Sequence, residues 1–250
     1  MIVIPMAGAS RRFFEAGYTS PKYMLPLAGR PIFDWAVASF TRYFDLETFL
    51  FVIRDIDGTR DFVAARAAAL GIRKIELVTL DHVTAGQAET VEFGLDCANV
   101  AAEESLAIFN IDTIRPNADI EPQSGKDGWL EVFEADGDHW SFILPDPNDP
   151  TSVLRTTEKV RISDHCCTGL YTFRSRRLFD LALKEERAHP SSRELFVAPI
   201  YNHLIARQFK FGWKSVSGKD VLQSGTPAEY EALLAAPPSN LPDLGTSPTV

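Results

Sequence analysis

The sequence predicts an α/β protein. It reads as one domain with a mostly parallel central sheet, helices on both faces, and antiparallel additions in the second half. Three observations carry this. Short apolar runs alternate with helix-period patterns up to Ile111. Later apolar runs follow one another without long helices between them. A chain of 250 residues with 45% hydrophobic and 24% charged residues is ordinary for a globular protein and can bury a full core.

The elements follow in order. Ile2 to Met6 is a buried strand. Pro31 to Tyr43 is a helix, with proline at its first turn and Ile32, Trp35, Ala36 and Phe40 on one face. Thr48 to Ile53 is a strand. Thr59 to Leu70 is a helix, with Thr59 as N-cap and Gly71 as its stop. Ile75 to Leu80 is a strand, Gln87 to Cys97 a helix, and Leu106 to Ile111 a strand. This βαβαβαβ order implies a parallel sheet with right-handed crossovers. Trp129 to Glu134, Ser152 to Glu158 and Thr168 to Phe173 are the added strands. Leu178 to Glu186 and Glu194 to Gln208 are helices, and Phe211 to Val216 is a last strand. Thr226 to Ala235 is a last helix, with Thr226 and Glu229 spaced as a capping box and Pro227 at its first turn. No linker separates the halves, so residues 1–236 form one domain. The Pro/Ser/Thr-rich stretch 237–250 is expected to be disordered.

Charge excludes some functions. The net charge is -9, which argues against nucleic acid and against an anionic membrane surface. The cysteines are Cys97, Cys166 and Cys167, an odd number with no CxxC pair. They suit neither a disulfide framework nor a zinc site, and they fit a reducing cytoplasm. MIVIPMAGAS lacks the makeup of a signal peptide, and no apolar run reaches the ~18–20 residues of a membrane span. The charge is unevenly placed. Residues 1–30 hold Arg11, Arg12, Lys22 and Arg30 against Glu15 alone, a net of +3, which leaves -12 for the rest.

That basic excess surrounds the most informative segment. The first strand runs into Ala7-Gly8-Ala9-Ser10, small residues that let backbone approach a ligand. Arg11 and Arg12 follow, and the loop ends at Pro21-Lys22. Ligands of open α/β sheets bind beyond the carboxyl ends of the strands. Backbone N–H groups and cations at that edge suit phosphate, although a solvated basic loop would share the composition. The segment is neither GxGxxG nor a Walker A loop, because no GKS or GKT follows.

On these residues the chain resembles the sugar-phosphate nucleotidyltransferases, the pyrophosphorylase family with a GT-A/Rossmann-like three-layer fold. Their pattern is a strand, GxGxRF, then a loop ending in PK. Gly8 matches the first glycine, Ser10 the second, Arg12 the arginine and Lys22 the lysine. The resemblance implies catalytic roles for Arg12 and Lys22, and nucleotide contacts from Ala7, Gly8, Ala9 and Ser10. Ser10 departs from the pattern. It is expected to take a less glycine-like backbone and to place a hydroxyl near the phosphates.

The resemblance extends over nearly the whole chain. TAGQAETVEFGLD resembles the base-reading turn and its helix, so Gly86 would let backbone approach the base and Gln87 would bond its edge; a plain helix start explains them equally well. In IFNIDTIRP, Asp112 stands at a strand's carboxyl end, where the family binds Mg²⁺; a strand-end turn cap is the alternative. TTEKVRISDHCCTGLYTF carries an EK pair and a GxYxF-type strand. Glu158, Lys159 and Gly169 are the implied substrate contacts, against a surface ion pair of little worth. Cys166 and Cys167 read as small buried thiols.

Two departures mark the acceptor end. Many members have Tyr-Gly where this chain has Trp140 and Ser141, so the substrate pocket differs. Gln223 stands where the family often completes its metal site with Asp, and Asp220 is the nearest acid. FNIDT, DHVTAGQAET, CCTGLY and APIYNHLI resemble a narrower group in capsule biosynthesis, with enzymes similar to the cytidylyltransferase that activates phosphoglutamine.

The resemblance therefore implies transfer of NMP from an NTP, CTP favoured, to a phosphorylated small molecule with release of pyrophosphate. The implied cofactor is Mg²⁺. An ordinary sugar 1-phosphate is the alternative acceptor, and nothing in the sequence argues against a homo-oligomer. A GT-A glycosyltransferase would share the sheet and an aspartate. It would want a DxD-like pair where Asn110 stands, and would leave the loop from Arg12 to Lys22 unexplained. A non-catalytic nucleotide-binding relative would accommodate Ser10 and Gln223.

Overall fold

The computed structural model describes residues 1–244. Its elements run β1 (Ile2–Met6), α1 (Arg11–Glu15), β2 (Pro26–Leu27), β3 (Arg30–Pro31), α2 (Ile32–Ala38), β4 (Thr48–Arg54), α3 (Thr59–Leu70) and β5 (Lys74–Leu80). Then come α4 (Gln87–Cys97), β6 (Leu106–Phe109), β7 (Thr113–Ile114), β8 (Gly128–Glu134), β9 (Ser141–Asp146), β10 (Asp149–Glu158) and β11 (His165–Phe173). The chain closes with α5 (Arg176–Ala188), α6 (Val197–Ile205), β12 (Phe211–Ser215), β13 (Leu222–Gln223) and α7 (Pro227–Ala235).

Nine strands form one sheet in the order β5-β4-β1-β6-β11-β8-β12-β10-β9. The ladders from β5 through β6 are parallel. β11 enters antiparallel beside β6, and β10 is antiparallel to β12 and β9. Alternation along the strands builds two cores. Val3, Leu50, Val52 and Ile108 face α4, α5 and α6. Ile2, Ile4, Phe49 and Phe51 face α2 and α3. This is the expected three-layer α/β sandwich with antiparallel additions.

Local departures have local causes. Gly58, left-handed at φ 72°, caps α3 in place of Thr59, whose hydroxyl donates to the Ile56 carbonyl instead. The helix expected to reach Tyr43 ends at Ala38. Ser39 bonds back to the Trp35 carbonyl and its own carbonyl accepts from Ala118, so the chain continues as a short 3₁₀ turn. α6 starts at Val197 rather than Glu194, because Phe196 is extended and Leu195 is bonded to the backbone of Ala85 and Ala88. β9 was hidden in sequence by polar residues and prolines around FILP. The capping box of Thr226 and Glu229 forms as expected.

The basic loop has a folded middle. Phe13 of α1 is buried in a cluster with Leu27, Trp35 and Tyr230, edged by Tyr18. Leu241 and Leu244 pack on the same cluster. The disorder expected over 237–250 concerns, from 245 on, positions outside the described residues. Among the described residues no helix is long and apolar enough to cross a membrane.

Candidate active site

The parallel strands deliver the loops after β1 and β6 to one edge of the sheet. A cleft of about 390 Å³ opens there, and a smaller lobe of about 190 Å³ adjoins it. The two share Lys22, Asn110, Asp112, Ser141, Glu158 and Tyr171.

The larger lobe has two small-residue turns in its wall. Ala7, Gly8 and Ala9 line it from the end of β1, and Gly86 and Gln87 from the start of α4. Ser10 sits just behind. Against expectation it keeps a left-handed backbone, φ 48° and ψ 28°, the conformation that glycine adopts most easily. Its hydroxyl accepts from the Lys22 backbone N–H at 3.2 Å, so it ties the two ends of the basic loop together. Gly86 also has a clear structural duty. A Cβ there would lie 2.5 Å from the Leu195 carbonyl oxygen, so its small size serves a close approach of two backbones. That approach brings Glu194 and Phe196 to the cleft wall. Gln87 donates from Nε2 to Asn110 Oδ1 at 2.5 Å.

At the junction Lys22 Nζ forms an ion pair with Asp112 Oδ2, each side chain 22% exposed. Burial disfavours charge on Asp112, but the Lys22 ammonium and the Arg12 guanidinium outweigh it, holding its carboxyl below the usual range. The backbone of Asp112 is fixed too, since its carbonyl accepts from the Ser224 N–H at 2.8 Å and the Ser224 hydroxyl at 2.9 Å. Gly225 is needed beside it: a Cβ there would stand 2.9 Å from Asp112 Oδ2.

The smaller lobe is walled by side chains. Arg12, Trp140, Ser141, Glu158 and Tyr171 line it, with Glu229 at its edge. Trp140 is braced edge-on against Phe133, 5.2 Å between centroids. The Ser141 hydroxyl donates to Glu158 Oε2, and the Tyr171 hydroxyl lies 3.2 Å from Ser141 Oγ. Burial raises the Glu158 carboxyl, opposed by Ser141 and Lys159. Cys167 also reaches this lobe, but burial pushes its thiol well up, so it offers no thiolate.

The structure does not bring every expected residue into the cleft. Lys159 lines neither lobe; its ammonium lies 4.7 Å over the Phe196 ring and 3.7 Å from Glu158 Oε1. Gly169 stands behind Asn110, whose amide nitrogen would lie 2.6 Å from a Cβ there. Gln223 borders the smaller lobe and accepts from the Thr113 hydroxyl at 3.2 Å. Asp220 lines neither lobe and accepts from Asn240 Nδ2 at 3.3 Å. Among the described residues no group of three or more His, Cys, Asp or Glu is arranged to hold a metal. Sequence reasoning passed over Asn110, Tyr171, Glu194, Phe196 and Glu229. Asn110 and Tyr171 sat within segments already singled out, and Glu229 was read only as the capping-box partner of Thr226.

Cations facing a strand-end carboxylate beside a small-residue turn suit phosphate chemistry on nucleotides, the class of the nucleotidyltransferases. Known structures agree. The chain is similar to the nucleoside-diphosphate-sugar pyrophosphorylase from Vibrio cholerae RC9, with 43% identity and a TM-score of 0.89 over 94% of this chain and 100% of that one. A Bacillus anthracis protein described as a glucose-1-phosphate thymidylyltransferase has 17% identity and a TM-score of 0.76 over 98% and 97%. The inositol-1-phosphate CTP transferase from T. maritima has 15% identity and a TM-score of 0.72 over 91% and 89%. The last two share the fold. No family model and no curated protein matches the chain. The chain belongs to the sugar-phosphate nucleotidyltransferase, or pyrophosphorylase, family and is an enzyme of that class.

Proposed function

We propose that the chain transfers an NMP group from an NTP, CTP by preference, to a phosphorylated small molecule and releases pyrophosphate. The observation that carries this reading is the Lys22–Asp112 pair at the junction of two lobes, one sized for a nucleotide and one for an acceptor. An acceptor phosphate oxygen attacks the α-phosphorus in line, and the bond to pyrophosphate breaks. No general base is needed, because the attacking phosphate is already ionised at neutral pH. Catalysis is therefore positioning and charge stabilisation. Lys22 stands where it can meet both the α-phosphate and the incoming phosphate. Arg12 reaches the junction from the smaller lobe, and its charge, which acts on Asp112, receives the leaving phosphates there. Ala7, Gly8, Ala9 and Ser10 bed the triphosphate, and Gly86 and Gln87 meet the base. Trp140, Ser141, Glu158 and Gly169 form or support the acceptor lobe, and Lys159 acts on it through its ion pair with Glu158.

Asp112 fits a hard cation, because Mg²⁺ is satisfied by one or two protein carboxylates when phosphates supply other oxygens. Bound there, Mg²⁺ would offset triphosphate charge. Asp220 as a second ligand has no support in the geometry. CTP and a capsule or surface-polysaccharide setting rest on the short motifs shared with that subgroup. A sugar 1-phosphate acceptor is the second reading, favoured by the name of the 43%-identical Vibrio protein. Four NTPs crossed with phosphoglutamine and hexose 1-phosphates, assayed by pyrophosphate release, decide both. The reading predicts release that needs an acceptor and is fastest with CTP. Release with no pair would overturn the activity, and equal rates with all four NTPs would overturn the base preference.

A further inference from the structure

Where the smaller lobe meets the larger one, Ser141, Glu158 and Tyr171 form a hydrogen-bond relay. Ser141 opens β9 and lies directly opposite Glu158 at the end of β10. β11, which also pairs with β9, brings Tyr171 to the same floor. An ionised carboxylate can only accept. The Ser141 hydroxyl must therefore spend its one proton on Glu158 Oε2. Its lone pair is then left to accept from Tyr171, 3.2 Å away. Tyr171 is 4% exposed, so its hydroxyl has little water to turn to instead. Glu158 would otherwise be loosely held: its terminal torsion is broad, and Lys159 draws the other oxygen, Oε1, from 3.7 Å.

We propose that Tyr171 and Ser141 are a positioning pair that pins one oxygen of Glu158, so that the carboxylate is presented to a hydroxyl or amino donor of the acceptor. The pair thereby governs affinity for the acceptor and not for the nucleotide. This rests on the reading that the smaller lobe takes the acceptor. Tyr171, Ser141 and Glu158 all border both lobes, so the two KM values must be measured separately. Tyr171→Phe keeps the ring and removes the relay's donor. Ser141→Ala removes the middle, and Ser141→Thr keeps a hydroxyl.

The test is steady-state pyrophosphate release with each substrate varied in turn, with thermal melting to confirm folding. Tyr171→Phe and Ser141→Ala are expected to raise the acceptor KM about tenfold, the scale of a hydrogen bond to a charged group, with the NTP KM within about twofold. Ser141→Thr should recover most of the loss. If Tyr171→Phe does not fold, the alanine and threonine variants decide alone. Acceptor and NTP KM rising together, or an unmoved acceptor KM, overturns the inference while leaving nucleotidyl transfer intact. A wild type that releases no pyrophosphate with any pair overturns the functional reading and this inference with it.

Discussion

The larger lobe of the cleft takes small-residue turns into its wall, whereas the smaller one takes Arg12, Trp140 and Glu229. Turns at Ala7–Ala9 and at Gly86 wall the first, and glycine or alanine is used where two backbones or a ligand must come close. Trp140, in the turn before β9, walls only the second, and Ser141, Glu158 and Tyr171, projecting from the added strands, stand where the two meet. Backbone amides suit phosphate oxygens, which every nucleotide carries. Side chains discriminate, because a buried polar group left unpaired is costly. The larger lobe should therefore be sensitive to backbone changes and general in what it holds. The smaller one should be where the acceptor is chosen.

The junction belongs to both, and breaking it should have the largest effect. Lys22→Ala removes the cation facing Asp112 and is expected to cut pyrophosphate release by about 10²–10³-fold, the scale for one lost electrostatic contact to the transition state. Unchanged release in a folded preparation would sink the mechanism. Asp112→Asn comes next. Its loss should be at least about tenfold, which even outer partners of a metal site cause, with a flattened Mg²⁺ titration. An unaltered Mg²⁺ dependence would remove Asp112 from the metal role. The same carboxyl is held below its usual range. Its pairing thus stabilises the fold above the unfolded carboxylate range and is lost as pH falls through the folded value. Asp112→Asn should flatten that acid limb in a melting series.

Gly86→Ala sharpens the comparison. A Cβ forced to 2.5 Å from the Leu195 carbonyl must push the two backbones apart, which should destabilise by about 1–3 kcal/mol. It should raise the KM for NTP and leave the acceptor's alone, the reverse of what the Ser141 variants do. A rise in both would mean that the lobes are not separable.

The same division explains what was legible in the sequence. The parallel half shows its strands and helices because buried βαβ units need continuous apolar runs and helix-period faces, which place the basic loop and Asp112 beyond strand ends, while the family resemblance singles out Ser10, Arg12 and Lys22 within that loop. β9 was not legible, since HWSFILPDP mixes polar residues and prolines that only a hairpin with β10 accommodates. Glu194 and Phe196 were missed for another reason. They reach the cleft only through the Leu195 pairing with Ala85 and Ala88, a contact more than a hundred residues away in sequence. Lys159 is visible in the sequence as half of an EK pair, yet its backbone is left-handed at φ 54° and its ammonium lies over Phe196, and no local pattern announces that.

The smallest effect expected lies at Ser10, and its ordering is diagnostic. Ser10 combines a strained left-handed backbone with a useful hydroxyl. Ser10→Gly relieves strain of about 1–2 kcal/mol and loses one hydrogen bond of about 0.5–1.5 kcal/mol, so the two nearly cancel. Ser10→Ala keeps the strain and loses the bond, so it should be less stable than both wild type and glycine. If the loop works through backbone, as the larger lobe does, the glycine variant should keep pyrophosphate release within about threefold, since less than ~1 kcal/mol separates the states. If the hydroxyl itself met the phosphates, glycine and alanine would lose activity alike, and the backbone-built account of the larger lobe would fail at its first turn.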